Sequence, residues 1–172
     1  MNLIFTGMRC SGKTRLGREV ATRLNRPFFD VDQEIEKLLN KKIDQFVKEK
    51  GWDAFRALEK RVVQELAKQE NTVISTGGGT LMDPRNVKIL KKTGFVVFLK
   101  APLPLLKKRL QKSHARPSLT GTQSSLQELD EIWKKRKPVY ERVADLTYMV
   151  KEGNNIESLI AKIQPAVSTA SP

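Results

Sequence analysis

The sequence has almost no cysteine or histidine: Cys10 and His114 are the single examples of each among its 172 residues. One cysteine excludes an internal disulfide, and together the two residues exclude a zinc cluster of the usual ligand spacing. Binding and catalysis must therefore depend on carboxylates, on Lys and Arg side chains, and on backbone groups.

Long apolar runs are also missing. No uninterrupted stretch approaches the roughly 20 apolar residues that a helix needs to cross a bilayer, so we expect no membrane partner. Residues 1–6 lead directly into a glycine-containing loop without a basic leader, which predicts a cytoplasmic protein. Acidic residues are scarce too: 19 Asp and Glu accompany 32 Lys and Arg, for a net charge of +13. This excess predicts an anionic partner, either large or small.

The length predicts one domain, residues 1–172, because domains usually contain roughly 100 to 200 residues. Short apolar runs typical of strands alternate with stretches in which apolar residues recur at helical spacing. The predicted strands are 2–6, 27–31, 72–75, 95–100 and 146–150. The predicted helices include 13–24, 33–39, 54–69, 83–91 and 103–110. This alternation favours a three-layer α/β fold, with a five-stranded parallel sheet and helices on both faces.

Two segments depart from this pattern. Residues 112–125 gather Gly, Pro, Ser and Thr around Arg116, as a surface loop does, and we expect a mobile lid there. Residues 165–172 have the short, polar sequence PAVSTASP, for which we expect a flexible tail.

A phosphate-binding loop is the most specific motif. It matches G-x-x-x-x-G-K-[ST] and lies between the first predicted strand and the first predicted helix, as the motif requires. Its backbone N–H groups and the helix N-terminus supply a positive field, Lys13 reaches the outer phosphates, and the Thr14 hydroxyl is expected to bind Mg²⁺. The loop residues assigned to ATP are Gly7, Met8, Arg9, Cys10, Ser11, Gly12, Lys13 and Thr14.

Two carboxylates, Asp30 and Asp32, lie at the end of the second predicted strand. Residues two apart in a strand point to the same face, so we expect both side chains at the ligand edge of the sheet if the strand continues that far. One carboxylate would hold the hydration shell of a metal, and the other would accept a hydrogen bond from the attacking hydroxyl. The alternative is that one of them caps the following helix, a role that fits Asp32 better than Asp30.

A run of three glycines follows the third predicted strand, in the sequence Thr76-Gly77-Gly78-Gly79. Without side chains, the backbone N–H groups of such a run are accessible to a polar ligand. We expect a ligand-binding loop, with a plain flexible turn as the alternative.

In this order the motifs resemble the shikimate kinase family, whose members transfer the γ-phosphate of ATP to the 3-hydroxyl of shikimate in aromatic amino acid biosynthesis. The resemblance extends from Asn2 to about Ile163. Besides the loops above, it rests on Gly51, Phe55-Arg56, Glu59, Arg116-Pro117 and Arg136-x-Pro138-x-Tyr140. It implies a P-loop kinase fold with a mobile lid, ATP and shikimate as substrates, and Mg²⁺ as cofactor. Where Cys10 stands, the family usually has glycine.

The resemblance also implies roles on the acceptor side. Arg56 and Arg136 resemble the two guanidinium groups that hold the shikimate carboxylate, and Glu59 is placed to orient Arg56. Asp32 would hold the acceptor hydroxyls. Gly77, Gly78 and Gly79 complete the implied substrate site, and residues 32–60 form its helical region.

On the nucleotide side, the predicted catalytic residues besides Asp32 are Lys13 and Arg116. Arg116 resembles a lid arginine that closes over the phosphates and stabilises the charge of the transition state. Arg109 resembles an arginine that stacks on adenine, although a position on a helix surface fits it nearly as well. Asp30 resembles the residue that organises the water shell of Mg²⁺.

Several alternatives stay open. Gluconate kinases and nucleoside monophosphate kinases share the phosphate loop and a lid, but the glycine run and the Arg136-x-Pro138-x-Tyr140 motif argue against them. A nucleic-acid-binding protein would explain the net charge, yet the basic residues are scattered and no reading motif accompanies them, so we expect no nucleic acid partner. An ATP-binding protein without catalysis is a third alternative. We expect a monomer.

Overall fold

A computed structural model describes residues 1–112, 126–153 and 156–168. Its five strands form one sheet in the order β2-β3-β1-β4-β5, and every pairing is parallel. The strands are β1 Asn2–Thr6, β2 Phe28–Asp30, β3 Val73–Ser75, β4 Gly94–Lys100 and β5 Leu146–Met149. All of β1 and most of β4 are buried, as expected for a parallel sheet that is covered on both faces.

Helices connect the strands. They are α1 Lys13–Arg23, α2 Val31–Leu39, α3 Ile43–Ala67, α4 Pro84–Thr93, α5 Leu103–Lys112, α6 Gln127–Val143 and α7 Ile156–Ser168. The helix α3 is interrupted at Gly51, whose φ of +82° is left-handed and favours glycine. The segment after this break packs on the core through Phe55, Val62 and Leu66.

The strand register determines where the loops emerge. Ser75 at the end of β3 lies beside Phe5 of β1 and Asp30 of β2. Because the strands are parallel, the loops that follow them leave from the same edge of the sheet, where ligands bind in open α/β folds. The chain thereby brings the phosphate loop, the start of α2 and the glycine run to one edge.

The predicted fold class agrees with this architecture, but three details differ. The strand β2 ends at Asp30 and α2 begins at Val31, so Asp32 lies in the first turn of a helix and not on a strand. The helices α6 and α7 and the first part of α3 were not predicted. Residues 165–168 belong to α7 despite Pro165, so the expected tail is wrong there, because the buried face of Ile156, Leu159 and Ile163 packs on the core. Residues 169–172 lie outside the described ranges.

No helix within the described part of the chain is both long enough and apolar enough to cross a membrane. Most of the predicted lid, residues 113–125 with Arg116, lies outside the described residues.

Candidate active site

The phosphate loop connects β1 to α1 through backbone conformations that are left-handed at Cys10 (φ +63°) and Gly12 (φ +96°). At Gly7, a Cβ atom would lie 2.7 Å from the backbone oxygen of Leu99, so no larger residue fits without displacing backbone. Within the described chain no side chain caps the start of α1, whose first N–H groups are therefore not satisfied by a capping side chain. Such a start to a helix is suited to a phosphate group.

Lys13 is nearly buried at the first position of α1. Its Nζ donates a hydrogen bond to the backbone oxygen of Met8 at 2.9 Å, so the ammonium group folds back over the loop. Arg109 of α5 approaches the same loop, where its Nη1 donates to the backbone oxygens of Cys10 at 3.1 Å and Ser11 at 3.4 Å. These contacts bring two cations to the position expected for the phosphates.

Asp30 and Asp32 have separate environments. One carboxylate oxygen of Asp30 accepts a hydrogen bond from the Thr14 hydroxyl at 2.7 Å, and the other accepts from the N–H groups of Asp32 and Gln33. Asp30 thus caps α2, and the prediction that Asp32 was the better candidate for the cap is wrong. The reason is that β2 ends two residues earlier than a strand containing both carboxylates would require.

The Thr14–Asp30 pair fits a magnesium ion. Among the described residues no group of three or more His, Cys, Asp or Glu side chains could hold a metal. Mg²⁺ usually keeps several waters and binds through one or two protein oxygens together with substrate phosphates. A hydroxyl and a buried carboxylate beside the phosphate loop meet that requirement.

The three glycines after β3 each lie against a different predicted substrate residue. A Cβ atom on Gly77 would lie 2.7 Å from Asp32 Oδ1, and one on Gly79 would lie 2.6 Å from Arg56 Nη2. At Gly78 the corresponding distance to Arg136 Nη1 is 3.1 Å. The absence of side chains in this loop, which we name the glycine loop (residues 77–79), therefore lets Asp32, Arg56 and Arg136 converge although they come from three different helices.

Arg56 is held on several sides. Its Nη1 donates to Glu59 Oε2 at 2.6 Å, and the other Glu59 oxygen accepts a hydrogen bond from the Thr80 hydroxyl at 2.8 Å. Glu59 is only 1% exposed, so this carboxylate depends on these two partners. The guanidinium carbon also lies 5.4 Å from the centre of the Trp52 ring and 5.1 Å from that of Phe55. The expectation that Glu59 orients Arg56 agrees with this geometry.

A cleft of about 630 Å³ brings the phosphate loop together with Asp32 and Gly78, whereas Arg56 lines a neighbouring cavity and Arg136 lines neither. Lys13, Thr14, Asp30, Asp32, Gly78 and Arg109 all line the cleft, together with Arg9, Cys10, Gly12, Arg15, Gln33, Glu36, Ile43 and Thr76. The phosphate loop and Asp32 therefore face the same space. Glu36 and Ile43 were missed from the sequence, although Glu36 lies one helical turn after Asp32, a spacing that indicates a shared face.

The sequence indicates Tyr140 only as part of a motif and gives it no role of its own. In the structure its side chain is completely buried beside the cleft. Its hydroxyl donates a hydrogen bond to the backbone oxygen of Gly78. Burial raises the pKa of Tyr140 to about 12, against a smaller opposing effect of Arg136, so the hydroxyl keeps its proton at neutral pH.

The fold and the cleft together are those of a small-molecule kinase with a phosphate-binding loop. A family model described as shikimate kinase matches residues 9–167. The chain therefore belongs to the shikimate kinase family. The predicted enzyme class, an ATP-dependent phosphotransferase with an alcohol group as acceptor, is confirmed.

Individual relatives agree with this assignment. A shikimate kinase of Syntrophus aciditrophicus is 34% identical and the match covers 95% of this chain and 91% of the relative. Another, of Caldicellulosiruptor saccharolyticus, is 42% identical over 81% of this chain and 80% of the relative. The solved structure of shikimate kinase from Acinetobacter baumannii in complex with shikimate has a TM-score of 0.88 at 33% identity, covering 99% of this chain and 95% of that one. The predicted fold and the predicted phosphorylation of shikimate by ATP are confirmed.

Proposed function

We propose that this chain transfers the γ-phosphate of ATP to the 3-hydroxyl of shikimate by in-line displacement, without a covalent enzyme intermediate. The observation that carries the proposal is that Lys13 and Asp32 line one cleft, with the guanidinium groups of Arg56 and Arg136 beside the adjoining glycine loop. Phosphoryl transfer needs little covalent chemistry from the protein, so positioning and electrostatic stabilisation supply most of the rate.

On the nucleotide side, residues 7–14 bind the phosphates through backbone N–H groups, and Lys13 moves from the Met8 oxygen to the β- and γ-phosphates. The uncapped start of α1 supports this role. Arg109 lies on the adenine side of the loop and leaves its two carbonyl partners when the nucleotide binds. For Arg116, outside the described part of the chain, the family resemblance supports a role in stabilising the phosphate charge.

The Thr14 hydroxyl and the Asp30 carboxylate would hold Mg²⁺, which would neutralise charge on the phosphates of the nucleotide. The 2.7 Å hydrogen bond between Thr14 and Asp30 supports the assignment, because it fixes the hydroxyl at the mouth of the phosphate loop.

On the acceptor side, Arg56 and Arg136 bind the carboxylate of shikimate, since planar guanidinium groups match carboxylate geometry. Asp32 accepts a hydrogen bond from the attacking 3-hydroxyl and receives its proton. The backbone of Gly77, Gly78 and Gly79 completes the acceptor site. The convergence of all three side chains on the glycine loop supports these roles.

Beyond the site, we propose a cytoplasmic monomer that acts on two small anionic substrates and has no nucleic acid or membrane partner. The net charge of +13 is consistent with anionic substrates. Sedimentation at several concentrations tests the oligomeric state, and concentration-dependent association would contradict the monomer.

The reaction is tested by incubating the protein with MgATP and shikimate and measuring ADP and shikimate 3-phosphate. We expect equal amounts of both products, and none of either when shikimate or Mg²⁺ is omitted. Gluconate and AMP serve as control acceptors. Phosphorylation of one of these, with shikimate left unchanged, would overturn the proposal.

A further inference from the structure

Tyr140 lies between the two halves of the cleft and touches both. Its hydroxyl oxygen is 3.9 Å from the sulfur of Met8 in the phosphate loop, and it donates to the backbone oxygen of Gly78 in the glycine loop. The guanidinium group of Arg136, one turn earlier on α6, lies near the same hydroxyl and beside Gly78, where a Cβ atom would be 3.1 Å from its Nη1. The ring is fixed against Phe98 of β4 at a centroid distance of 5.1 Å, so the hydroxyl has little freedom to move.

The bond to Gly78 determines how the glycine loop presents its backbone. A trans peptide unit points its C=O and the following N–H in opposite directions. Because Tyr140 holds the Gly78 oxygen on the side of α6, the N–H of Gly79 points away from that helix. Gly78 also lies against the phosphate loop, since a Cβ atom on it would be 3.6 Å from Arg9 N and 3.7 Å from Gly7 O.

The hydroxyl has one proton and two neighbouring acceptors, the Gly78 oxygen and the more distant, weaker sulfur of Met8, so the carbonyl takes the proton. A guanidinium group can only donate, so Arg136 does not compete for it. Burial raises the pKa of Tyr140 to about 12, which keeps the proton in place throughout the working pH range. Arg136 and Gly78 therefore both lie against the same fixed group.

We propose that Tyr140 is a positioning residue for the acceptor, which aligns the Arg136 guanidinium and the glycine loop with each other and with the phosphate loop. It does not touch either substrate. The inference rests on the proposed function, because Arg136 and the glycine loop matter only if a carboxylated acceptor binds there.

The test compares Tyr140→Phe with Tyr148→Phe. Both side chains are buried, and Tyr148 lies in β5 with its hydroxyl 3.3 Å from Ser158 Oγ, so the control removes the same atom from a different place. Wild type and both variants are assayed at a temperature where all three are folded, as judged by their melting curves. We expect Tyr140→Phe to raise the KM for shikimate about tenfold with the KM for ATP within twofold, and Tyr148→Phe to change neither.

A second comparison separates positioning from general destabilisation. In an Arg136→Ala background, Tyr140→Phe should reduce kcat/KM for shikimate by a smaller factor than it does in the wild type, because one of the two groups that it orients is gone. An equal factor in both backgrounds contradicts the proposal. So does a KM for shikimate that stays within twofold of wild type, or a KM for ATP that rises in parallel. If the wild type itself does not phosphorylate shikimate, the proposed function fails first and the inference fails with it.

Discussion

The nucleotide half of the cleft comes from one continuous stretch of chain, residues 7–14, whereas the acceptor half comes from α2, α3, α6 and the loop after β3. The first half presents backbone N–H groups in left-handed turns, and the second presents side chains that meet across a loop without side chains. A contiguous backbone site depends on local geometry. A dispersed side-chain site depends on the packing of every element that contributes to it, so we expect the two halves to respond differently to mutation.

The largest effects should come from the residues that complete each half. Lys13→Met and Asp32→Asn should each lower kcat by about 10²- to 10⁴-fold. Lys13→Met removes electrostatic stabilisation of the transferred phosphoryl group, and Asp32→Asn removes the proton acceptor. Calorimetry should show that Lys13→Met still binds shikimate and that Asp32→Asn still binds MgATP. Full activity in Asp32→Asn would remove its proposed role, and loss of both ligands in either variant would contradict independent halves.

Arg56→Lys should have the next largest effect, confined to the acceptor. It keeps the charge but loses the planar fork, and hydrogen bonds to charged groups contribute about 1.5 to 3 kcal/mol each, so the KM for shikimate should rise by about 10- to 100-fold. The KM for ATP should stay within twofold. Steady-state kinetics with each substrate varied in turn provides the measurement. Arg142→Lys, the same change at an exposed position of α6 that lines neither cavity, is the control.

Alkaline pH should lower the free energy of unfolding through Tyr140, which lies between the two halves of the cleft. Tyr140 has a pKa of about 12 in the folded protein against 10.0 for an ordinary tyrosine, so its contribution to stability is complete below pH 10. Above that pH the unfolded chain loses the proton first, and the free energy of unfolding should fall by on the order of 2 kcal/mol as pH rises towards 12. Urea unfolding at several pH values measures this fall. The free energy of unfolding of Tyr140→Phe should fall less over the same pH range. An identical pH dependence in variant and wild type would refute the raised pKa of Tyr140.

The smallest effect is expected at Cys10. A non-glycine residue at φ +63° carries about 1 kcal/mol or more of backbone strain, offset in part by the greater entropy of glycine in the unfolded chain. Cys10→Gly should therefore raise the free energy of unfolding by at most about 1 kcal/mol, with the KM for ATP within twofold. Asn71→Gly, at φ +57° before β3, is a matched change outside the phosphate loop. A several-fold rise in the KM for ATP would indicate that the thiol itself contacts the nucleotide.

The contrast between the halves also explains what could be predicted from sequence. The strand, loop and helix from Asn2 to Arg23 were predicted almost to the residue, because a short apolar run, a spaced motif and a helical repeat are all local signals. Arg56 and Arg136 were found only through resemblance to a family, whereas Asp32 and the glycine loop were also indicated by their positions after predicted strands. Nothing in the spacing of Asp32, Arg56 and Arg136 indicates that they meet, since tertiary packing alone brings them together.

Errors occurred where packing overrides local preference. The short, polar sequence of residues 165–172 predicted a flexible tail, but α7 continues to Ser168, and Val167 within it packs against the core. Pro138 lies inside α6, as Pro165 lies inside α7. Asp30 caps α2 in place of Asp32 because β2 ends at Asp30, one residue before the end of the predicted strand. Hydrophobic periodicity does not predict the ends of elements to one residue.

The carboxylate of Asp30 links a strand end, a helix start and the phosphate loop at one point. With the proposed magnesium role, metal affinity and the stability of α2 both depend on the same two oxygen atoms. A substitution of Asp30 would remove the helix cap, which contributes about 1 kcal/mol to stability, along with any catalytic contribution. Loss of activity in an Asp30 variant would therefore reflect lost helix stability as well as lost catalysis. No substitution of this residue changes one of these properties without the other.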